Sequence, residues 1–368
     1  MKLTAEQEAF VDAIRDFAAR ERFESVEDAH SEQVAAHMGE LGWYGLQIAE
    51  EYGGSGGSFL DATLFLEETS RGRIPVAAYG VTLIVVGALN RFGSEEQKRD
   101  LFERVVGGGT LAIAMSEPEA GSDVANLKTK ARREDGSYVL DGSKMWCSYA
   151  HKASHILIVC RTGPGERHDD MSMILVPREA PGMTLTPIPT LGGEETNEIH
   201  LDGVRVGEDC LLGAEGGGWT QLMAGLNYER TILAATALGL AQRTFDDALA
   251  YAKERRQFGR PVGSFQALSH RFAELATELA QVRLLVRWVA ALTDEQPDRM
   301  LPKEASMAKL AATELSKRCA LEGMQAMGGY GYATEYPMER YLRSAVVGTI
   351  YGGTSEIQKN IIAKTLGL

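Results

Sequence analysis

Cysteine is scarce in this sequence. Its four residues, Cys147, Cys160, Cys210 and Cys319, are scattered so that no two form a C-x-x-C pair. That spacing supports neither a zinc site nor a dithiol redox motif, and no metal is expected. Free thiols in a reducing compartment are the expectation. Clustered positive charge is also missing: no block holds five or more Lys/Arg, and the formal net charge is −13. A surface of that sign sets the chain against nucleic acid, whose phosphates need a cationic face. There is no long hydrophobic run. The longest uncharged stretch, Ile74 to Asn90, contains Pro75 and barely reaches the roughly 17 residues a membrane span requires, so a buried helix is expected and no membrane partner. The N-terminus MKLTAEQEAFVDAIRDFAARE is amphipathic with acids throughout, unlike a secretory or transit peptide, which places the expected location in the cytoplasm. The G-x-G-x-x-G strand-turn-helix signature, the P-loop, H-E-x-x-H and G-x-S-x-G are all absent, as are repeats and low-complexity tracts.

What is present is a change of hydrophobic period along 368 residues, long enough for two or three domains. Residues 1–110 read as helices: Phe10, Ile14 and Phe17 share a stripe, and Ser94 is a good N-cap for SEEQKRDLFERVV. EEYGGSGGS, Glu50 to Ser58, reads as a flexible break. Over 111–213 the period becomes two, with short β-rich runs such as HILIVCRT and MSMILVP and turn signals at Asp135-Gly136 and Asp141-Gly142. These runs do not alternate with helices, so an antiparallel sandwich or barrel is expected. From 214 to 368 long helices return, one stopping near Gly259 and Pro261 and the next capped by Ser264, in the pattern of a four-helix bundle. The predicted class is α+β: an N-terminal helical domain, a middle antiparallel β domain and a C-terminal bundle.

One acid falls on an apolar stripe. Leu222, Leu226, Glu229, Leu233, Thr236 and Leu240 recur at steps of four and three, which puts Glu229 on the core-facing side of a helix with Arg230 about 100° away. Poor solvation there raises a carboxyl pKa, which suits a general base. The alternative is a carboxylate paired with an Arg in a helix seam. Other motifs stay open too. MSEPEAGSDV, Met115 to Val124, is a ligand cradle or a plain loop. Trp146 on a strand is core by default. Arg255 and Arg256 at a helix C-terminus cap the dipole or clamp an anion. In TIYGGTSEIQKN two glycines precede Thr354, and Ser355 with Gln358 has capping-box spacing at a helix start that could offer N–H groups to a ligand.

In order along nearly the whole chain, EEYGGSG, FGSEEQK, MSEPEAGSDV, KMWCS, NYERTILAA, ERRQFGRPVGSFQAL, QAMGGYGYATEYPMER and IYGGTSEIQK resemble the acyl-CoA dehydrogenase family. The resemblance implies FAD bound between the β domain and the bundle and partly held by a neighbouring subunit, in a homodimer or homotetramer. It implies that Met115 and Ser116 meet the flavin ring, that Trp146 and Ser148 lie beside it, and that Ser122 and Arg230 stand near the CoA arm and active site, Ser122 also close to the cofactor. Arg255, Phe258, Gln325 and Gly329 match contacts to the FAD of the adjacent subunit, and Thr354 and Glu356 match the cofactor-facing end of GTSE. Many members carry the catalytic Glu directly before that GT. Here Gly352 stands there, and Glu229 in NYER matches the helix position used by the isovaleryl-CoA and long-chain type. Gly352 retains a backbone N–H for the thioester carbonyl, shared with a ribityl hydroxyl of FAD.

The activity so implied is removal of the α-proton of an acyl-CoA by Glu229 with hydride transfer to flavin N5, giving a trans-2-enoyl-CoA, and an electron-transferring flavoprotein as acceptor. A Gly at the turn vacates volume, compatible with branched, long or bulky acyl chains. Alternatives are a subunit of a hetero-oligomeric acyl-CoA dehydrogenase, a flavin oxidase or monooxygenase on the same fold, and a dehydrogenase of carrier-protein thioesters. Two departures stand out. Ser344 replaces the usual Asp after Arg343, removing a salt bridge, and the segment SVEDAHSEQVAA is short, reshaping one rim of the site.

Overall fold

The computed structural model describes residues 2–21, 23 and 29–368; Ser25 to Asp28 of the short SVEDAHSEQVAA segment lie outside the described residues. The N-terminal region folds into α1 (Ala5–Glu21), α2 (Glu32–Glu40), α3 (Phe59–Arg71), α4 (Ala78–Phe92) and α5 (Glu95–Val106). Strands follow: β1 (Thr110–Ala114), β2 (Lys130–Glu134), β3 (Ser137–Ser148), β4 (Ala153–Arg161), β5 (Met171–Pro177), β6 (Met183–Thr190), β7 (Gly193–Gly207) and β8 (Leu211–Leu212). Then come α6 (Gly218–Glu254), the two-residue strands β9 (Arg256–Gln257) and β10 (Arg260–Pro261), α7 (Gln266–Glu295), α8 (Pro302–Met327), α9 (Gly329–Tyr332), α10 (Met338–Gly348) and α11 (Ser355–Thr365). None of the described helices is long and apolar enough to cross a membrane. All four cysteines are free.

The chain packs as two units, one of Met1–Asp28, Ser58–Pro75 and Glu229–Leu368, the other of Ala29–Gly57 and Val76–Tyr228. The N-terminal helices therefore divide: α1 and α3 belong with the bundle helices, and α2, α4 and α5 with the sheet.

In the sheet unit the strand order is β6-β7-β3-β2-β4-β5-β8, with β1 also pairing β4. Period two explains its two cores. Ile156, Ile158 and Cys160 of β4 join one cluster with Ile199 and Val204 of β7, while Leu157 and Val159 join another with Val85 and Leu89 of α4 and Leu101 and Phe102 of α5. Most pairings are antiparallel, but β1 runs parallel to β4 over Thr110–Ala114, and β2 touches β4 in parallel at Lys130 and Arg161. The sheet is otherwise antiparallel as expected; β1 reaches its parallel partner through a loop, the 3-10 turn Val124–Asn126 and the β2–β3 hairpin, a connection long enough for the crossover that a parallel pair needs. Of the two turn signals, Asp135 (φ 48°) and Gly136 (φ 71°) form the tight β2–β3 hairpin. Asp141-Gly142 does not turn; Gly142 lies in a register shift inside β3, where a β-carbon would approach Thr129 Oγ1 to 2.6 Å.

EEYGGSGGS is a hydrogen-bonded turn rather than an open linker: Gly54 N–H donates to Ala49 O, Ser55 N–H to Gly45 O and Gly56 N–H to Ile48 O. Ser94 caps α5 in a full capping box with Gln97. The buried helix expected over Ile74 to Asn90 is α4, with Tyr79, Leu83, Val85 and Val86 in the interior.

In the bundle unit α3 is the anchor. Buried Glu67 accepts from Arg283 Nε (2.7 Å) and Arg287 (3.0 Å) of α7, and buried Glu68 takes Arg15 of α1 through two bonds of 2.8 and 2.7 Å. Asp294 accepts from the free N–H groups of Phe59 and Leu60 at the start of α3. Ser264 does not cap α7. The helix begins one residue later, after Phe265, and Ser264 Oγ donates to Pro261 O. Ser344 is exposed, and Arg343 pairs with Glu339 one turn earlier on α10.

Candidate active site

In the sheet unit the loop after β1 is fixed by a buried ion pair. Lys144 of β3 donates to Glu117 Oε1 (2.8 Å) and to Met115 O (3.1 Å), and Glu117 also accepts from the N–H groups of Lys128 and Thr129. Burial pushes the Glu117 carboxyl up, but Lys144 and these hydrogen bonds outweigh it and hold it below its usual value. Met145 N–H donates to Ser116 O. Met115, Ser116 and the strand carrying Trp146 are thereby brought together.

Trp146 is not core. It is 58% exposed and sits at φ 62° in the β3 register shift between Lys144 and Cys147. A bulky residue in left-handed backbone, turned outward from a strand, marks a functional constraint rather than packing. Ser148 is half-buried on the same strand, and Ser122 is exposed on the loop.

In the bundle unit the focus is Glu229 on α6. It is 5% exposed, and its Oε2 has no hydrogen-bond partner. Desolvation pushes its carboxyl up to about 7, while Arg230 and then Lys309 pull it down. The core-facing position predicted from the stripe is observed, but Arg230 is buried too. This part of α6 is covered nearly all round, from Glu229 to Ala235, so burial is not confined to one face. Burial lowers the Arg230 pKa, opposed by Glu229.

The turn between α10 and α11 meets α6 at this acid. Gly352 (φ 61°) and Gly353 (φ 84°) are both left-handed, a conformation that favours glycine. A β-carbon on Gly352 would lie 3.5 Å from Glu229 Oε1 and would collide with Leu233 Cδ1. The room expected beside a glycine at 352 is thus taken by Leu233. The α11 cap also differs from expectation. Thr354, not Ser355, is the N-cap and accepts from Ile357 N–H (3.3 Å). Ser355 Oγ instead donates to Glu314 (2.5 Å), and Gln358 Nε2 turns back to Gly352 O (3.0 Å) and Gly353 O (2.8 Å). Glu356 is exposed, and hydrogen bonds from its own N–H and from Thr354 hold its carboxyl below the usual value.

Sequence reasoning missed Lys309 of α8. It is completely buried, donates from Nζ to Gly353 O (2.9 Å) and stands 6.0 Å from the Tyr351 ring centre. The stripe argument that found Glu229 would have found it: Ala305, Lys309, Ala312, Ser316 and Cys319 recur at steps of four and three, and all are buried.

A second group gathers at the far end of α6. A cavity of about 750 Å³ is lined by Arg255, Gln325 and Gly329 together with Tyr251, Tyr330 and Thr334. The Arg255 guanidinium lies over the Tyr330 ring (5.4 Å). Phe258 projects from the β9–β10 hairpin, 94% exposed at φ 50°. Tyr251 stands about 33 Å along α6 from Glu229 at the helical rise per residue. Each unit by itself offers groups that suit part of FAD: in the sheet unit the outward Trp146 presents an aromatic face for a planar ring, and in the bundle unit the Arg255- and Gln325-lined cavity presents donors for an anionic linker.

Sequence models for the acyl-CoA dehydrogenase N-terminal, middle and C-terminal domains match residues 4–109, 112–204 and 216–367. The chain is 38% identical to the probable acyl-CoA dehydrogenase YngJ of Bacillus subtilis, over 99% of each chain. Among solved structures, a glutaryl-coenzyme A dehydrogenase in complex with glutaryl-CoA superposes with a TM-score of 0.94 at 32% identity, covering 100% of this chain and 96% of the other. The prolyl acyl carrier protein oxidase AnaB gives 0.94 at 29% identity, with 100% of both chains covered. With all three domains matched in order on an N-terminal helical, middle β and C-terminal helical architecture, the chain belongs to the acyl-CoA dehydrogenase family of FAD-dependent oxidoreductases.

Proposed function

We propose that the protein oxidises the α–β bond of a saturated acyl-CoA to the trans-2-enoyl-CoA, with Glu229 removing the α-proton. One observation carries this reading: Glu229 is a buried carboxylate poised at about 7, with an unpaired oxygen, beside the backbone of Gly352. A base works best when its pKa lies near the operating pH. A structural ion pair would instead leave the carboxylate hydrogen-bonded and its pKa low. The Gly352 N–H serves as donor to the thioester carbonyl, stabilising the enolate character that acidifies the α-carbon. The left-handed backbone and Leu233 keep that position free of any side chain, so the acid must come from α6. Buried Arg230, next to Glu229 in the chain, favours the ionised base and stands near the CoA arm.

Bound FAD supplies the two-electron acceptor for the β-hydrogen. Met115, Ser116, Trp146 and Ser148 hold it from the sheet unit, with Ser122 at the CoA and cofactor side and Thr354 and Glu356 from the start of α11. Arg255, Phe258, Gln325 and Gly329 hold the FAD of a neighbouring copy, as their match to the family's cross-subunit contacts implies; Arg255, Gln325 and Gly329 share a cavity near the far end of α6 from Glu229. The protein therefore works as a homodimer or homotetramer. Its electrons pass on to an electron-transferring flavoprotein.

The test is anaerobic mixing of the FAD-loaded protein with short, branched, long and bulky acyl-CoAs. Wild type bleaches with its substrate. Glu229→Gln loads FAD and bleaches about 10²–10⁴-fold more slowly. A variant that bleaches at the wild-type rate removes Glu229 from the mechanism. The likeness to a carrier-protein oxidase gives a second reading, and fast reoxidation by air together with turnover of a carrier-protein thioester would favour it.

A further inference from the structure

We propose that Lys309 is a positioning residue for this reaction: it pins the Gly352–Gly353 turn and presents its charge to Glu229 as a second counter-ion of the ionised base, alongside Arg230. The proposal rests on the reading of Glu229 as that base.

The geometry starts at the turn. Two successive left-handed glycines are conformationally loose, and only a close set of partners keeps their N–H groups aimed in one direction. Gln358 Nε2 binds both carbonyls, and Lys309 Nζ adds a third bond, to Gly353 O. Holding a carbonyl requires no charge, as Gln358 demonstrates. An amide or hydroxyl would serve, without the large desolvation penalty of a fully buried ammonium. The charge must therefore be used by something else in the same place.

The charged groups around Lys309 show what that is. Glu229 and Arg230 face it from α6, Glu314 comes from its own helix, and Glu356 from α11. Glu314 is tied to Ser355 Oγ, and Glu356 is exposed at the α11 cap. Glu229 alone combines full burial with an oxygen lacking any partner. Burial lowers the Lys309 ammonium to about 8, with Glu229 the strongest influence holding it up. Glu229 is in turn drawn down first by Arg230 and then by Lys309, and the Tyr351 phenol, itself pushed up by burial and then by Glu229, completes the set of titratable groups here. At neutral pH the lysine remains the charged member of the pair while Glu229 is free to exchange a proton.

The experiment uses FAD-loaded wild type, Lys309→Gln, Lys309→Met and Glu229→Gln. Gln keeps a donor for Gly353 O without the charge; Met removes both. The first readout needs no substrate: infrared titration of the protonated carboxyl band that disappears in Glu229→Gln. Its midpoint is expected to rise by on the order of one pH unit in both Lys309 variants. The second readout is the pH dependence of anaerobic bleaching. Its acid limb should follow the infrared midpoint, and the plateau should fall at least tenfold in Lys309→Met but only a few-fold in Lys309→Gln. Unmoved midpoints overturn the counter-ion role, and a wild-type plateau in Lys309→Met overturns the positioning role. If Lys309→Met fails to hold FAD, the Lys309→Gln midpoint decides. If Glu229→Gln turns over normally, the base assignment fails, while the infrared midpoint still reports whether the two charges are coupled.

Discussion

Burial of Glu229 should make the protein less stable as the pH rises toward neutrality, and Glu229→Gln should abolish that loss. The folded carboxyl holds its proton up to about 7, whereas the ordinary value is 4.5. Between those values the unfolded chain has released the proton and the folded chain has not. A native state that binds more protons than the unfolded one loses stability as pH increases. Integrated from pH 5 to pH 7, the penalty is roughly 2 kcal/mol. This window stays below the Lys309 value of about 8, so the lysine remains charged in wild type throughout. In Glu229→Gln the side chain has nearly the same volume and no charge to desolvate. The stability difference between variant and parent should therefore shift by roughly 2 kcal/mol in favour of the variant over those two pH units, or roughly 4–8 °C in Tm for a cooperative unit of 150–250 residues. The assay is thermal or urea unfolding of both FAD-loaded proteins at several pH values, with the difference plotted so that all other titrating groups cancel. A difference that stays flat, or that favours the parent as pH rises, would refute a desolvated Glu229.

Two further outcomes follow from the same geometry. Gly352→Ala forces a β-carbon into left-handed backbone and against Leu233 Cδ1, so it should destabilise by about 1–3 kcal/mol and slow turnover. Adding Leu233→Ala should return part of that loss, and an additive double-mutant cycle would show that the two positions do not compete for space. Trp146→Ala removes an outward, 58% exposed ring, so unfolding of the FAD-free protein should change by less than about 0.5 kcal/mol. FAD retention through gel filtration should fall markedly. A variant that unfolds readily yet retains FAD would mean the ring packs the fold rather than the cofactor.

Much of this was legible in the residues, and the illegible parts have physical causes. Periods of four and three found α6 with Glu229 on its buried side, because a helix repeats every 3.6 residues whatever it packs against. Period two found β4, and Asp135-Gly136 found its hairpin, because left-handed turn geometry is a local property. Partners are not local. Nothing in α1 or α3 says that they pack with the bundle helices while α4 and α5 cover the sheet. Strand propensity alone makes Trp146 core by default, whereas the register shift that turns it outward depends on the pairing of β3 with β7. The α11 cap moved from Ser355 to Thr354 because Glu314, a residue distant in sequence, claimed the serine hydroxyl. Lys309 was visible in principle, since its stripe has the same spacing as that of Glu229, but its neighbours are small and the pattern is weakly apolar.

The most direct measurement is exchange of the α-hydrogen with solvent deuterium, followed by NMR, for an acyl-CoA whose β-carbon is quaternary, carrying three methyl groups besides the α-carbon. Such a thioester has no β-hydrogen to lose, so only the proton-removal step is read. The account predicts exchange catalysed by the wild-type protein and slowed by about 10²–10⁴-fold in Glu229→Gln. Exchange at the wild-type rate in that variant would contradict it.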